Sequence, residues 1–177
     1  MKKALDITMT RALPEDVREV LDVVQDSTRR MQEKGITQWR LYLTDAGVAR
    51  VRRRVMGEAG EEVYLARSEI HDRPVGAVSV EWSDREYWSE RGEDGLAGYI
   101  HMLCVHRDAR GNELGERIMH WAEELVASRG RTYARLDCWA AITFLPGYYA
   151  RLGYERVGAV GGPNGSLLLE KRVRDEA

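Results

Sequence analysis

"AGYIHMLCVHRDARGNELGERI", Ala97 to Ile118, decides the fold. Its first half is an apolar run whose central residues read as facing packed material on both sides, which predicts a central strand. Its second half turns through Arg110, Gly111 and Gly115 into a helical pattern. A strand that passes directly into a helix presents several unpaired backbone N–H groups at the positive end of the helix dipole. That is a setting for anionic phosphate. Arg110 adds a fixed positive charge, and glycine lets main chain approach a ligand closely. By themselves these residues leave a second reading open, in which Gly111 serves a tight turn and Gly115 a close helix packing.

Working outward, Leu114, Ile118, Trp121, Ala122 and Leu125 fall on one stripe of a helix that Gly130 ends. "TYARLDCW" follows as a strand, "AITFLPGYYARLG" as a short helix beginning or broken near Pro146, and "YERVGAV" and "GSLLLEKRV" as closing strands. Toward the N-terminus, "ITMTRAL" alternates as a short strand. Pro14 then opens a helix with Val17, Val20, Leu21, Val24 and Met31 near one face, stopped by Gly35. Thr44 or Asp45 caps a second helix carrying Val48, Val51 and Val55. Beyond Gly60 the period becomes alternating, in "EEVYLARSEI" and "RPVGAVSVEWS", a hairpin joined at "HDR". A polar loop from Asp84 to Gly95 leads back to the central strand. This order predicts an α/β (α+β) layer structure, a mixed, mostly antiparallel central sheet flanked by helices. With no repeat and no linker, residues 1–177 are expected to form a single domain.

Acids and bases nearly balance, 29 against 27, so no global field draws the chain to nucleic acid or an anionic membrane. The basic run "ARVRRRV" puts Arg50, Arg53 and Arg54 on much of one helix face. Without interleaved aromatics it reads as a solvated side. No apolar run approaches the roughly 20 residues a bilayer span needs, and "MKKALDITMTRALPED" lacks a signal-peptide core. A cytoplasmic location is expected. Cys104 and Cys138 lie in apolar, strand-like surroundings and read as buried free thiols, with no metal-ligand spacing.

Three local motifs resemble the GNAT superfamily of N-acyltransferases, here its bacterial small-molecule type. "RGNELG" is similar to the family's Arg/Gln-x-x-Gly-x-Gly/Ala loop at Arg110 and Gly115. "YYARLGYERVG" is similar to its tyrosine-x-x-x-glycine-aromatic signature, and "YIHMLCV" to the strand before the loop. The resemblance covers most of the chain, "GITQWR" in the N-terminal third matching less sharply. It implies acetyl-CoA as co-substrate, with main-chain groups of Leu103, Cys104 and Val105 along the pantetheine arm. Arg110, Gly111, Asn112, Glu113, Leu114, Gly115 and Glu116 would then face the pyrophosphate. It also implies a bulged, splayed central strand and places Tyr149 beside the sulfur as general acid. Two positions depart from the pattern: Glu113 stands at the first loop glycine, and Ile142 where an asparagine is frequent.

His101 sits two residues before Leu103, so alternation puts both on one face, and an imidazole pKa near 6.5 suits base work. Glu81 is the rival carboxylate. Trp39, Trp82, Trp88 and Tyr99 are candidates to line an acceptor pocket anchored by Asp84 and Glu81, a setting for a cationic amine. Each of these also reads as a packed core or rim residue. The expected function is transfer of an acetyl group from acetyl-CoA to a primary amine of a small molecule, by direct attack in a ternary complex. The alternatives are a degenerate binding or sequestering protein on the same scaffold, and a biosynthetic enzyme with CoA-independent chemistry. Neither a metal nor a nucleic-acid or membrane partner is expected, and a homodimer is left open.

Overall fold

The computed structural model describes residues 5–58, 60–111, 113–162 and 165–175. Among the described residues, seven strands form one sheet: β1 (Thr8–Arg11), β2 (Glu62–Arg67), β3 (Gly76–Glu81), β4 (Ala97–Val105), β5 (Tyr133–Trp139), β6 (Glu155–Val160) and β7 (Ser166–Arg172). Their order is β1-β2-β3-β4-β5-β7-β6. The pairs β1–β2, β5–β7 and β6–β7 are antiparallel. β4 and β5 run parallel because α4 (Leu114–Ser128) carries the chain back between them. The remaining α-helices are α1 (Val17–Glu33), α2 (Asp45–Met56), α3 (Arg85–Trp88) and α5 (Leu145–Arg151). The mixed, mostly antiparallel sheet with flanking helices is the architecture expected from the sequence. No helix among the described residues is long and apolar enough to cross a membrane.

The chain divides into two compact units, Met1–Ser79 with Met102–Met119, and Val80–His101 with His120–Ala177. In the first, α1 and α2 lay Val17, Val20, Val23, Val24, Val51 and Val55 against Val63, Leu65 and Ala77 of the strands. Burying such a side chain contributes about 1.5–3 kcal/mol, so this cluster outweighs any local propensity. Thr44 caps α2, its hydroxyl accepting from the Gly47 N–H at 3.3 Å. The buried face of α1 extends to Asp26, Ser27 and Thr28, which apolar periodicity could not reveal. In α2, Arg53 is solvated as expected but Arg54 is buried. Its guanidinium lies 3.4 Å from the Glu61 carboxylate and 3.4 Å from the Ser79 hydroxyl, so a charge that read as solvated is paired inside.

In the second unit the expected loop between β3 and β4 is folded. Asp84 caps α3 by accepting from the Tyr87 N–H at 3.1 Å, and a 3-10 turn spans Ser89–Glu93. Arg135 of β5, only 2% exposed, holds this segment. It donates to the Arg91 carbonyl at 2.7 Å and the Tyr99 hydroxyl at 3.0 Å, and pairs with Asp94 at 2.8 Å and Glu170 at 2.6 Å. Faces of Trp88, Tyr99 and Tyr133 surround the guanidinium at 5.0, 5.8 and 5.6 Å. On α4, Met119 and Val126 are fully buried in addition to the expected Leu114, Ile118 and Ala122, while Trp121 and Leu125 are half-buried.

Candidate active site

Two groups of residues carry chemistry, one in each unit. The first is the strand-to-helix turn. β4 ends at Val105, a 3-10 turn covers Arg107–Ala109, Arg110 is extended, and Gly111 and Glu113 both take left-handed backbone, at φ 80° and 53°. Only glycine adopts such φ without steric cost. That is why a glycine would be expected at position 113, and Glu113 carries its side chain there regardless. Glu113 is exposed, as are Arg110 and Gly111, and space is open where a Cβ on Gly111 would stand. Leu114 is buried and anchors the helix start. The Arg117 N–H donates to the Glu113 carbonyl at 3.1 Å, and Leu114, Gly115 and Glu116 form the first turn of the helix, whose N–H groups lack carbonyl partners within a regular helix. A helix first turn beside an exposed arginine fits a diphosphate. Asn112 lies outside the described residues.

Leu103, Cys104 and Val105 precede this turn, and here one expectation changes. The Val105 carbonyl already accepts from Arg30 Nη2 at 2.6 Å and Ser27 Oγ at 3.2 Å. With both lone pairs engaged it has nothing left for a pantetheine arm. Asp26 in turn accepts from the Arg107 amide at 2.9 Å and from the Arg107 side chain. Burial pushes the Asp26 carboxyl up, but the hydrogen bonds from Arg107 outweigh it and hold the group below the usual carboxylate range. Burial pushes the Cys104 thiol far up, which removes it as a nucleophile. The Cys138 thiol is pushed up to about 11 by burial and by Asp137. Both cysteines are free and buried, as expected.

The second group surrounds His101. The β4–β5 ladder holds only over Ala97–Tyr99 against Tyr133–Arg135, although β5 continues to Trp139. His101 and Asp137 therefore lie beyond the last paired residues. The ring Nδ1 is 3.6 Å from Asp137, and Nε2 is 3.3 Å from Asp84 and 3.9 Å from Glu81. Each ring nitrogen thus faces a carboxylate, and an imidazole bearing both protons satisfies that arrangement best. Burial disfavours the charged ring, but contact with Asp84 and the charges of Glu81, Asp137 and Asp84 outweigh it, so the His101 pKa is raised. Burial raises the Asp137 carboxyl in spite of His101 and a hydrogen bond from Ser166. Met102, next to His101, has φ 53°. Burial nevertheless alternates through that left-handed residue, with His101, Leu103 and Val105 half-buried and Met102 and Cys104 buried, in line with the expected alternation.

The aromatic residues sort differently from the sequence expectation. Trp88 and Tyr99, expected to line an acceptor pocket, are core residues at 3% and 1% exposure, gathered around Arg135. The Tyr99 hydroxyl donates to the Arg91 carbonyl at 2.6 Å. Trp82 is half-buried, with the guanidinium groups of Arg129 and Arg131 over its ring at 5.1 and 6.0 Å. Trp39 meets the edge of Tyr42 at 5.6 Å in the first unit. It is Tyr87, one residue earlier on α3, whose ring lies 6.5 Å from His101. Tyr149 is half-buried on α5 between Tyr148 and Tyr154, at centroid distances of 5.1 and 5.9 Å. Ile142 is buried, an apolar turn residue after β5. Sequence reading missed Asp137, Tyr87, Asp26, Ser27 and Arg30. The one available signal was a polar residue on an otherwise apolar face: Asp137 within "RLDCW", and Asp26 and Ser27 on the stripe of α1. Among the described residues, no group of His, Cys, Asp and Glu is arranged to hold a metal ion.

Comparison with known proteins gives a consistent result. Residues 59–156, more than half of the chain, match the family model described as an acetyltransferase (GNAT) domain. An uncharacterized N-acetyltransferase, YesJ, of Bacillus subtilis (strain 168) is 29% identical over 167 residues, 93% of this chain and 89% of that one. The crystal structure of a GNAT-family acetyltransferase from Listeria monocytogenes is 28% identical, with a TM-score of 0.76 over 95% of each chain. The PaiA N-acetyltransferase of Thermoplasma acidophilum, solved in complex with coenzyme A, shares the fold at 11% identity. Its TM-score is 0.73 over 95% of this chain and 99% of that one.

Proposed function

Because the chain belongs to the acetyltransferase (GNAT) family, we propose that it transfers an acetyl group from acetyl-CoA to a primary amine of a small molecule, by direct attack in a ternary complex. The observation that carries the acceptor half is the His101 ring set between Asp137 on one nitrogen and Asp84 and Glu81 on the other. Carboxylates concentrated around one buried ring favour a cationic amine. Residues 1–177 act in this reading as a single catalytic domain.

Bound acetyl-CoA supplies a thioester carbonyl open to an amine and a thiolate as leaving group. The amides of residues 113–116, with Arg110 and Gly111, hold the diphosphate; Asn112, from the same loop, belongs to this reading by its position in the sequence. Main chain of Leu103 and Cys104, and the N–H of Val105, run along the arm. A cationic amine must lose two protons: Glu81 accepts the first, which frees the lone pair for attack, and the second passes from the adduct through water to the Tyr149 phenolate left once the sulfur is protonated. His101 stays protonated and keeps the surrounding carboxylates in place. Tyr149 gives its phenolic proton to the departing sulfur. Tyr87 supplies an apolar wall beside the imidazole, a role first expected of Trp88.

Calorimetry with acetyl-CoA and a thiol-release assay over a panel of amines test this. Saturable binding and turnover of a cationic amine are expected. Tyr149→Phe should lower kcat by about 10²-fold, the low end for loss of a general acid, while acetyl-CoA affinity stays unchanged. Absence of both binding and turnover overturns the proposal.

A further inference from the structure

Asp26, Ser27 and Arg30 of α1 lie outside every motif that pointed to acetyl transfer, yet they form a network with the end of β4. Two successive peptide planes are pinned there. In the plane joining Val105 to His106, the carbonyl accepts from Arg30 at 2.6 Å and Ser27 at 3.2 Å, while the N–H donates to the Val75 carbonyl at 2.9 Å. In the next plane, the Arg107 N–H donates to Asp26 at 2.9 Å and the His106 carbonyl accepts from the Ala109 N–H at 3.0 Å. The α1 side chains are themselves joined, Arg30 Nη2 donating to Ser27 Oγ at 3.2 Å and Arg30 Nε lying 3.7 Å from Asp26. Asp26 and Ser27 are buried, and one turn of α1 presents all three residues.

A hydrogen bond made by a charged group is roughly twice as strong as a neutral one, and a plane held at both its C=O and its N–H has no freedom to flip. The direction in which those planes leave the strand sets where the amides that follow Arg110 point. We infer that Asp26, Ser27 and Arg30 are positioning residues for the coenzyme: α1 fixes the trajectory of the turn that grips the diphosphate. This rests on the reading above that the turn binds acetyl-CoA. None of the three need touch the ligand, so the effect falls on coenzyme affinity and leaves proton transfer alone.

The test compares wild type with Arg30→Met, Arg30→Lys, Ser27→Ala and Asp26→Asn in the full chain. Acetyl-CoA titration by calorimetry is run beside steady-state kinetics, and amide hydrogen exchange of residues 105–111 is followed without ligand. Arg30→Met should raise both the Kd and the KM for acetyl-CoA at least tenfold, with kcat within threefold of wild type and the amine KM unchanged. Arg30→Lys should recover part of that loss, and Ser27→Ala should show a smaller change of the same kind. Exchange of the Arg107 amide should quicken in Asp26→Asn. If wild type binds acetyl-CoA and folded Arg30→Met and Ser27→Ala bind it equally well, the inference is overturned and the functional reading stands. If wild type itself fails to bind, the functional reading falls, and the exchange arm alone decides whether α1 holds the turn: unchanged exchange would overturn that as well.

Discussion

Arg135→Met removes the guanidinium on which one wall of the His101 group depends. Arg135 is 2% exposed and serves two carboxylates, a carbonyl and a phenol. Methionine keeps most of the apolar stem, so the cavity left behind is small and the loss is chiefly electrostatic. Breaking a buried ion pair by removing one partner costs about 3–5 kcal/mol. Two features place the expected value at the low end. Glu170 keeps Arg91 at 2.7 Å, and Asp94 is 23% exposed and reaches water. Arg91 is itself 48% exposed, so solvent weakens that remaining pair. The expected loss is therefore about 3 kcal/mol, which for a chain of this length lowers Tm by roughly 6–12 °C. Denaturation followed by circular dichroism, in urea and by heat, measures it. Adding Glu170→Gln and Asp94→Asn to Arg135→Met should recover part of the loss, because no uncompensated carboxylate then remains inside. Activity should fall at temperatures where the single variant is still folded, because the Arg91 carbonyl and the Gly92 carbonyl, which accepts from the Asp84 N–H at 2.9 Å, belong to the released segment. A loss below about 1 kcal/mol, the range of an exposed pair, would refute the claim that this buried arginine holds the segment in place.

Two further predictions concern charge. Glu113→Gln keeps the left-handed backbone and removes the carboxylate; an exposed charge about 4 Å from a phosphate charge interacts by roughly 1 kcal/mol in water, so acetyl-CoA affinity should rise by about fivefold or less, and less again in high salt. Glu113→Gly should match that gain and also raise Tm, since glycine accepts φ 53° freely; a hundredfold gain in Glu113→Gln would mean that the carboxylate lies against the diphosphate, contrary to its exposure. For His101 the raised pKa sets the sign: the stability it contributes is fully present below its unfolded value, near 6.5, and is lost as pH rises through the folded value. The difference in unfolding free energy between wild type and His101→Gln should accordingly shrink from pH 6 to pH 9, and Asp137→Asn should move that decline to lower pH; a difference that grows with pH would refute the assignment of a charged ring.

The strand, turn and helix from Ala97 to Ser128 were legible in the sequence because each is a local pattern. An apolar run, a left-handed glycine at Gly111 and a stripe led by Leu114 and Ile118 are recorded within a few residues of one another. The stops at Gly35 and Gly130 belong to the same class, each with positive φ. His101, Glu81 and Asp84 were legible as candidates by residue type, but the arrangement that gives them chemistry was not.

Only the tertiary structure decided which polar residues go inside and what they meet there. Arg54 read as solvated and Trp88 as a pocket wall, because a helical or loop pattern counts apolar positions and is blind to a charge with a distant partner. Arg135 finds Glu170 thirty-five residues away, His101 finds Asp137 thirty-six residues away, and Arg30 finds the Val105 carbonyl seventy-five residues away. Met102 takes a left-handed backbone that nothing in its own side chain favours. Such pairings repay burial only after the sheet has brought distant segments together, so no stretch of sequence carries their signal alone.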